Sequence, residues 1–213
     1  MKICIVAATA FELAALRNKC SHLNTDIDFF VHGVGILSST FHLTQYFQAN
    51  KPQLAIQCGV AGSYTKALKI GDVVVVESEE LGDAGAESAS GEILDLFALN
   101  LMENSETLFK EKKLWNTHLD KFQTSSFIKV HGLTVNCCSG TAATIQNRIQ
   151  TFHADIETME GAPFHYICKQ FGIPFLQVRG ISNMVEPRNK EHWNMPLAIH
   201  QYTEALYTFI ETL

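Results

Sequence analysis

Three residues of this chain have types and positions that could do chemistry, each at a junction between an apolar run and a helix-period segment. They are Glu12 in Ala7-Ala8-Thr9-Ala10-Phe11-Glu12-Leu13, Glu160 in Glu157-Thr158-Met159-Glu160-Gly161-Ala162, and Asn183 at the end of Val178-Arg179-Gly180-Ile181-Ser182-Asn183. A carboxylate offers two acceptor oxygens and no donor, so one glutamate can accept from both hydroxyls of a vicinal diol, the pattern a ribose presents. A second can take a proton from water. Cleavage of a glycosidic bond passes through an oxocarbenium-like state and calls for that pair: one carboxylate for the water, one for the sugar. Each residue also has a structural reading. Thr9-x-x-Glu12 is a capping box, a glutamate just before a helix complements its dipole, and an asparagine closes a strand into a turn.

The elements that must position these residues follow an α/β cadence. Short apolar runs predict strands at Lys2–Ala8, Asp28–His32, Gln53–Cys58, Asp72–Ser78, Phe127–Asn136 and Phe175–Ile181. The four consecutive valines within Asp72–Ser78 fit a strand covered on both faces. Helical periodicity predicts helices at Phe11–Lys19, Leu37–Gln48, Gly140–Thr151, Gly161–Phe171 and Pro196–Thr212. Pro163 in the opening turn of the fourth, with Gly172 and Pro174 just past its end, is the punctuation favoured by helix termini. Residues 79–125, with Gly82, Gly85 and Gly91 in an acidic stretch and a charged segment from Glu103 to Lys113, read as an excursion from the sheet. No repeat or flexible linker divides the chain, and 213 residues fit one domain, 1–213, since one core extends to roughly 250 residues.

Composition narrows the function class. With 16 basic and 22 acidic residues and no basic cluster, the net charge of −6 gives no footprint for nucleic acid. The apolar stretch Ile3–Ala8 is far short of the ~20 residues of a membrane span and too short for a signal peptide, so no membrane association and a cytoplasmic location are expected. The six cysteines form no C-x-x-C pair, and five of them lie in apolar or periodic segments; reduced, mostly buried thiols are expected. None of the nine histidines falls in an H-x-x-x-H or H-E-x-x-H pattern, and no metal is expected.

The Met159-Glu160 pair followed by Arg179-x-Ile181-Ser182-Asn183 resembles the nucleoside phosphorylase superfamily, and the resemblance covers nearly the whole chain, from the Glu12 segment to Trp193. It implies a three-layer α/β/α sandwich around a central mixed β-sheet. It also implies that Glu12 activates water, that Met159 packs against the sugar, and that Glu160 holds the ribose hydroxyls. His32-Gly33-Val34-Gly35 corresponds to the Gly-rich turn near the ribose, and Gly59-Val60-Ala61-Gly62 to the turn beside the purine; either could also be an ordinary strand-to-helix turn. The G-x-G of Gly33 and Gly35 starts like a dinucleotide fingerprint, but Ser38 replaces the third glycine, and no dinucleotide cofactor is expected.

Where adenine nucleosidases of the superfamily carry aspartate, this chain has Asn183. A 6-oxopurine offers two adjacent acceptors, nitrogen 7 and the 6-oxo oxygen, which amide hydrogens satisfy and an ionised aspartate repels. Hypoxanthine or guanine is therefore the expected base. Gly82-Asp83-Ala84-Gly85-Ala86-Glu87, Gly91–Leu96, Pro187-Arg188-Asn189 and Trp193 look specifically like futalosine hydrolases, which implies release of hypoxanthine from futalosine in menaquinone biosynthesis. The reaction needs water and no cofactor. Arg188 is the candidate for the anionic tail of that substrate and Trp193 the candidate cover for its ring, although residues 187–190 could be a solvated turn. One departure stands out: Leu133–Cys138 lies where related nucleosidases place a base-stacking aromatic, and none occurs between Phe127 and Phe152.

The alternatives are a purine nucleoside phosphorylase, a methylthioadenosine/adenosylhomocysteine nucleosidase and a non-catalytic nucleoside-binding or storage protein. Phosphorolysis is disfavoured because Val6–Glu12 and His32–Ser39 contain no arginine or lysine. The resembling family forms dimers or higher assemblies in which a neighbour borders the 5′ pocket, so a homo-oligomer is expected.

Overall fold

The computed structural model describes residues 1–103, 108–124 and 126–213. Its strands are β1 (Lys2–Ala7), β2 (Asp26–Val31), β3 (Leu54–Ser63), β4 (Val73–Leu81), β5 (Gly85–Glu87), β6 (Ile93–Asp95), β7 (Leu114–Trp115), β8 (Ile128–Thr134), β9 (Ile156–Thr158) and β10 (Phe175–Met184). The helices are α1 (Ala10–Cys20), α2 (Gly35–Ala49), α3 (Ala142–Phe152), α4 (Gly161–Phe171) and α5 (Met195–Glu211).

Alternation along the strands builds three layers. Ile3, Ile5, Leu54, Ile56, Leu176 and Val178 face α1 and α5, meeting Leu13, Leu16, Tyr202, Leu206 and Phe209. Their neighbours Cys4, Val6, Ala55 and Phe175 face α2 and α4, meeting Leu43, Phe47, Phe164 and Ile167. Both faces are covered, so these strands read as continuous apolar runs. Each fully buried Leu, Ile or Phe contributes about 1.5–3 kcal/mol relative to exposure.

The mixed sheet turns on β3. One edge of β3 pairs in parallel with β10 from Ala55 to Ser63. The other edge pairs in parallel with β1 at Leu54–Gln57 and then antiparallel with β9 at Gly62–Ser63. Because β10 also pairs with β4, β4 with β8, and β8 with β9, these strands close a circuit back to β3. Strands β1 and β2 leave that circuit as an open wing.

Several sequence expectations are corrected here. The predicted third strand runs on to Ser63, so Gly59-Val60-Ala61-Gly62 is strand and not a turn; pairing with β10 and β9 holds it extended. Strand β9 has only three residues and no readable period; it exists because β3 and β8 flank it. In the excursion, β5 and β6 form a hairpin and β7 returns to the edge of β4. Residues 104–107 of the charged segment Glu103–Lys113 lie outside the described residues. Four cysteines are buried, whereas both Cys137 and Cys138 are exposed, because the chain leaves the sheet after β8. No described helix is long and apolar enough to cross a membrane.

Close packing of α5 on the sheet depends on Gly180, where a β-carbon would lie 2.4 Å from the Ala198 carbonyl oxygen. Gly180→Ala must therefore push helix backbone away from β10, and over-packing of this kind costs about 1–3 kcal/mol. The expected result is a lower urea midpoint with an unchanged slope; an unchanged midpoint would mean that α5 shifts without cost.

Candidate active site

Strand β1 ends at Ala7 and β9 takes over the same edge of β3 at Gly62, so the edge between is left open at the carboxyl ends of β1, β3 and β10. Such a change of neighbour is where open α/β sheets form ligand crevices. The cavity there is lined by Ala8, Thr9, Phe11, Glu12, Val34, Val60, Ala61, Gly62, Cys138, Glu157, Thr158, Met159, Glu160, Ser182, Asn183, Arg188, Trp193 and Met195. It brings together Glu12, Met159, Glu160, Ala61, Gly62, Asn183, Arg188 and Trp193 of the predicted site. Gly33, Gly35 and Gly59 are not among its lining residues.

Glu12 is held by the predicted capping box and also lines the cavity. Thr9 caps α1 by accepting from the Glu12 amide at 3.3 Å, while Glu12 Oε2 accepts from the Thr9 amide at 3.1 Å and its hydroxyl at 2.8 Å. The cap fixes one oxygen and turns the other toward β3, where Oε1 accepts weakly from the Val60 amide at 3.4 Å. The Tyr202 hydroxyl donates to the Glu12 carbonyl at 2.7 Å and ties this first turn to α5. A β-carbon on Gly59 would lie 2.8 Å from Glu12 Oε1 and 2.5 Å from Arg179 Nη1. The carboxylate and the guanidinium therefore both lie against the bare Gly59 backbone, where any side chain would collide with them.

Glu160 is the N-cap residue of α4 but makes no side-chain bond to it. Its Oε1 instead accepts from the Gly35 amide, at 2.9 Å, at the N-terminus of α2, whose own N-cap Val34 makes no side-chain capping bond. The carboxylate thus complements the dipole of a different helix from the one the sequence implied. Gly33 and Gly35 have φ of +85° and +82°, which lets the turn present that amide. Burial pushes the Glu160 carboxyl above the usual range, Arg179 and the Gly35 amide draw it back, and Glu12 raises it further.

Beneath these groups lies Arg179, 2% exposed, its Nη2 donating to Gln57 Oε1 at 2.9 Å. Glu79 is fully buried nearby, accepting from Gln177 at 2.8 Å and Thr134 at 2.9 Å. Burial pushes its carboxyl up to about 7 against the pull of those bonds and of Arg179. Gly132 and Gly161 make room for it, since a β-carbon on either would lie within 2.4 Å of Glu79 Oε1.

Asn183 is aimed by a bulge in β10, where the register with β3 slips between Ile181 and Asn183. Its Oδ1 accepts from the Ser182 hydroxyl at 2.8 Å and one Nδ2 hydrogen goes to the Met184 carbonyl at 2.9 Å. One amide hydrogen remains for a ligand, fewer than the pair the sequence argument used. Across Gly62, the register partner of both, stands Glu157. Its carboxylate accepts from the Ser139 amide at 2.9 Å, the Ser139 hydroxyl at 2.6 Å, Arg148 Nη1 at 3.0 Å and the Tyr64 hydroxyl. This cluster anchors the Cys137–Ser139 wall that lacks an aromatic. The aromatics lining the cavity are Phe11 and Trp193, and Arg188 lies with its guanidinium carbon 5.2 Å from the Trp193 ring centre. The Arg188 amide bonds the Gly140 carbonyl at 3.4 Å, so this arginine bridges the wall and Trp193.

Sequence reasoning missed Arg179 as a member of the site, along with Gln57, Glu79 and Glu157. A signal was present: Arg179 and Gln57 interrupt apolar strand runs, and polar groups buried in a core need a stated partner. Among the described residues, no group of three or more His, Cys, Asp or Glu side chains could hold a metal.

Comparison with known proteins accords with this geometry. The chain is 26% identical to a 5′-methylthioadenosine/S-adenosylhomocysteine nucleosidase of Haemophilus influenzae over the full length of both. It is 28% identical to a futalosine hydrolase of Thermus thermophilus, over 82% of this chain and 76% of that one. Its fold matches a mutant Helicobacter pylori methylthioadenosine nucleosidase holding 5′-methylthioadenosine in its active site, with TM-score 0.82, at 18% identity and covering 100% of this chain and 99% of that one. It matches the futalosine hydrolase of the same organism with TM-score 0.81, at 17% identity and covering 100% and 98%. The profile of the Phosphorylase superfamily matches residues 29–212, and the chain belongs to that superfamily.

Proposed function

We propose that this nucleosidase cleaves the N-glycosidic bond of futalosine, giving hypoxanthine and dehypoxanthine futalosine in menaquinone biosynthesis. As an N-glycosyl hydrolase it needs a water, a sugar anchor and a leaving-group partner. The observation that carries the reading is the convergence of Glu12, Glu160 and Asn183 on one cavity, with the buried Arg179 acting on Glu160 and lying against Gly59 beside Glu12.

In the proposed step Glu12 takes a proton from water as the water oxygen bonds the anomeric carbon. The carbon–nitrogen bond breaks, and its electron pair leaves with the purine. Glu160 accepts from the vicinal hydroxyls with the acceptor capacity left beside its Gly35 bond. Asn183 donates its remaining hydrogen to nitrogen 7 or the 6-oxo oxygen. An amide is no strong acid, so the leaving-group proton comes from water or another group. Arg188 and Trp193 are proposed to receive the anionic ring of the tail, with the cation already stacked on the indole. A second copy of the chain is proposed to cover the exposed Phe11 and Val34, which line the cavity, and the exposed Leu37 and Phe41 of α2; sedimentation of a dimer would support it and a monomer would not.

The second reading, a methylthioadenosine/adenosylhomocysteine nucleosidase, is favoured by the full-length likeness to such enzymes. Purified protein given futalosine, inosine, methylthioadenosine and adenosylhomocysteine separates the readings by which free base is released. Preferential hypoxanthine release from futalosine is expected; preferential adenine release would overturn the substrate assignment.

Three substitutions test the roles. Glu12→Gln keeps the capping box, which accepts glutamine, so near-native thermal stability with turnover lowered at least ~100-fold is expected. Activity within a few-fold of wild type would remove Glu12 from catalysis. Asn183→Asp should shift the ratio of hypoxanthine to adenine release toward adenine, because a protonated carboxyl donates to nitrogen 7 while accepting from the 6-amino group; an unchanged ratio means Asn183 does not read the base. Arg188→Ala should raise KM for futalosine and leave slow inosine cleavage nearly unchanged. Equal effects on both substrates, or on neither, would show that Arg188 does not bind the tail.

A further inference from the structure

One buried amide outside the cavity joins the segments that make up its sugar end. Gln57 on β3 is fully buried and absent from the cavity lining. Its Oε1 accepts from Arg179 Nη2 at 2.9 Å, and its Nε2 lies 3.3 Å from the Glu160 carbonyl oxygen and 3.2 Å from His32 Nε2. Chemistry fixes the orientation of this amide: a guanidinium only donates, so oxygen faces Arg179, and a carbonyl only accepts, so nitrogen faces Glu160. The same logic extends one residue further. His32 Nδ1 lies 2.9 Å from the Gly33 carbonyl, so that nitrogen carries the proton and Nε2 accepts from Gln57. Burial lowers the His32 pKa to about 4, which keeps the ring neutral and this pattern intact near pH 7.

These bonds form a loop that returns on itself. They run from Arg179 through Gln57 to the Glu160 backbone, and through His32 to Gly33. The Gly33–Gly35 turn then comes back, through the Gly35 amide, to the Glu160 carboxylate at 2.9 Å. The base end shares none of these partners: Asn183 is held by Ser182 and Met184, and Glu157 by Ser139, Arg148 and Tyr64.

We propose that Gln57 is a positioning residue for the sugar half of the site, setting the Arg179 guanidinium, the Glu160 carboxylate and the Gly33–Gly35 turn relative to one another. The assignment rests on the reading of the cavity as a riboside-cleaving site. A leucine at this position would leave Arg179 Nη2, the Glu160 carbonyl and His32 Nε2 without the partner they have, and buried polar groups without partners shift to find others. The sugar anchor then moves while the base end stays.

The test compares wild type with Gln57→Leu and Gln57→Glu. The second variant keeps an acceptor for Arg179 and replaces the donors by a carboxylate oxygen that pairs with neither the Glu160 carbonyl nor neutral His32 Nε2, so it carries the test if the first does not fold. Three readouts are taken: kcat/KM for inosine or futalosine, kcat/KM for 2′-deoxyinosine, and the inhibition constant of free hypoxanthine. The expected result is a fall of at least ~10-fold in kcat/KM for the riboside. The preference for riboside over 2′-deoxyriboside should shrink with it, and hypoxanthine inhibition should stay within about two-fold of wild type. A variant that loses hypoxanthine affinity in parallel with riboside cleavage, or one that keeps the full riboside preference, overturns the assignment. Base release by wild type, measured alongside, keeps the two readings distinguishable: an active wild type with unaltered variants refutes the role of Gln57 alone, whereas an inactive wild type refutes the riboside-cleaving reading.

Discussion

The site depends on a guanidinium buried inside a β-sheet. Arg179 cannot leave its charge uncompensated at 2% exposure, and an unpaired ion in such a place costs several kcal/mol after relaxation. Its charge acts on Glu79 and Glu160, and its Nη1 lies, like Glu12 Oε1, against Gly59. The dependence is mutual. Burial alone favours the protonated forms of Glu79 and Glu160, and Arg179 opposes it, so one cation serves several acids that would otherwise repel each other. The glycines at 59, 132 and 161 are the backbone consequence, since a methyl group at any of them would displace one of these charged groups.

Around this charge cluster, the strand pattern separates tasks. The wing of β1 and β2 ends where the closed circuit begins, and the gap between β1 and β9 leaves the edge of β3 open at the cavity. On the wing side, the α1 cap and the α2 N-terminus hold the carboxylates of Glu12 and Glu160. On the circuit side, the β10 bulge holds Asn183, and Arg148 with its neighbours holds Glu157. In the proposed binding mode, a nucleoside laid across the opening would meet acceptors at its sugar and mixed donors and acceptors at its base.

Much of this was legible in the sequence because it rests on local rules. The capping box at Thr9 and Glu12 and the punctuation of α4 by Pro163 and Gly172 need only neighbours along the chain. The long strands announced themselves by apolar runs. What escaped notice depends on pairing between distant segments. Strand β9 has too few residues to show a period, and β3 continues to Ser63 only because β10 and β9 hold it there. The partner of Glu160 is an amide on another helix, 125 positions away, which no local pattern could indicate. Gln57 and Arg179 lay in plain view as polar interruptions of core strands, yet their partners come from separate segments of the chain. The Asn183 amide shows the reverse case: its type was readable, but the hydrogen given to Met184 was not.

The central claim is that a cavity lined by Glu12, Glu157 and Glu160, with Arg188 as its only lining cation among the described residues, delivers water to a sugar carbon. The most direct measurement is the identity of the sugar product when the enzyme acts on its nucleoside with and without inorganic phosphate. Equal rates of base release in both conditions, with a free reducing sugar as the sole partner product, are the result this account predicts. Base release that requires phosphate and yields a sugar 1-phosphate would contradict it.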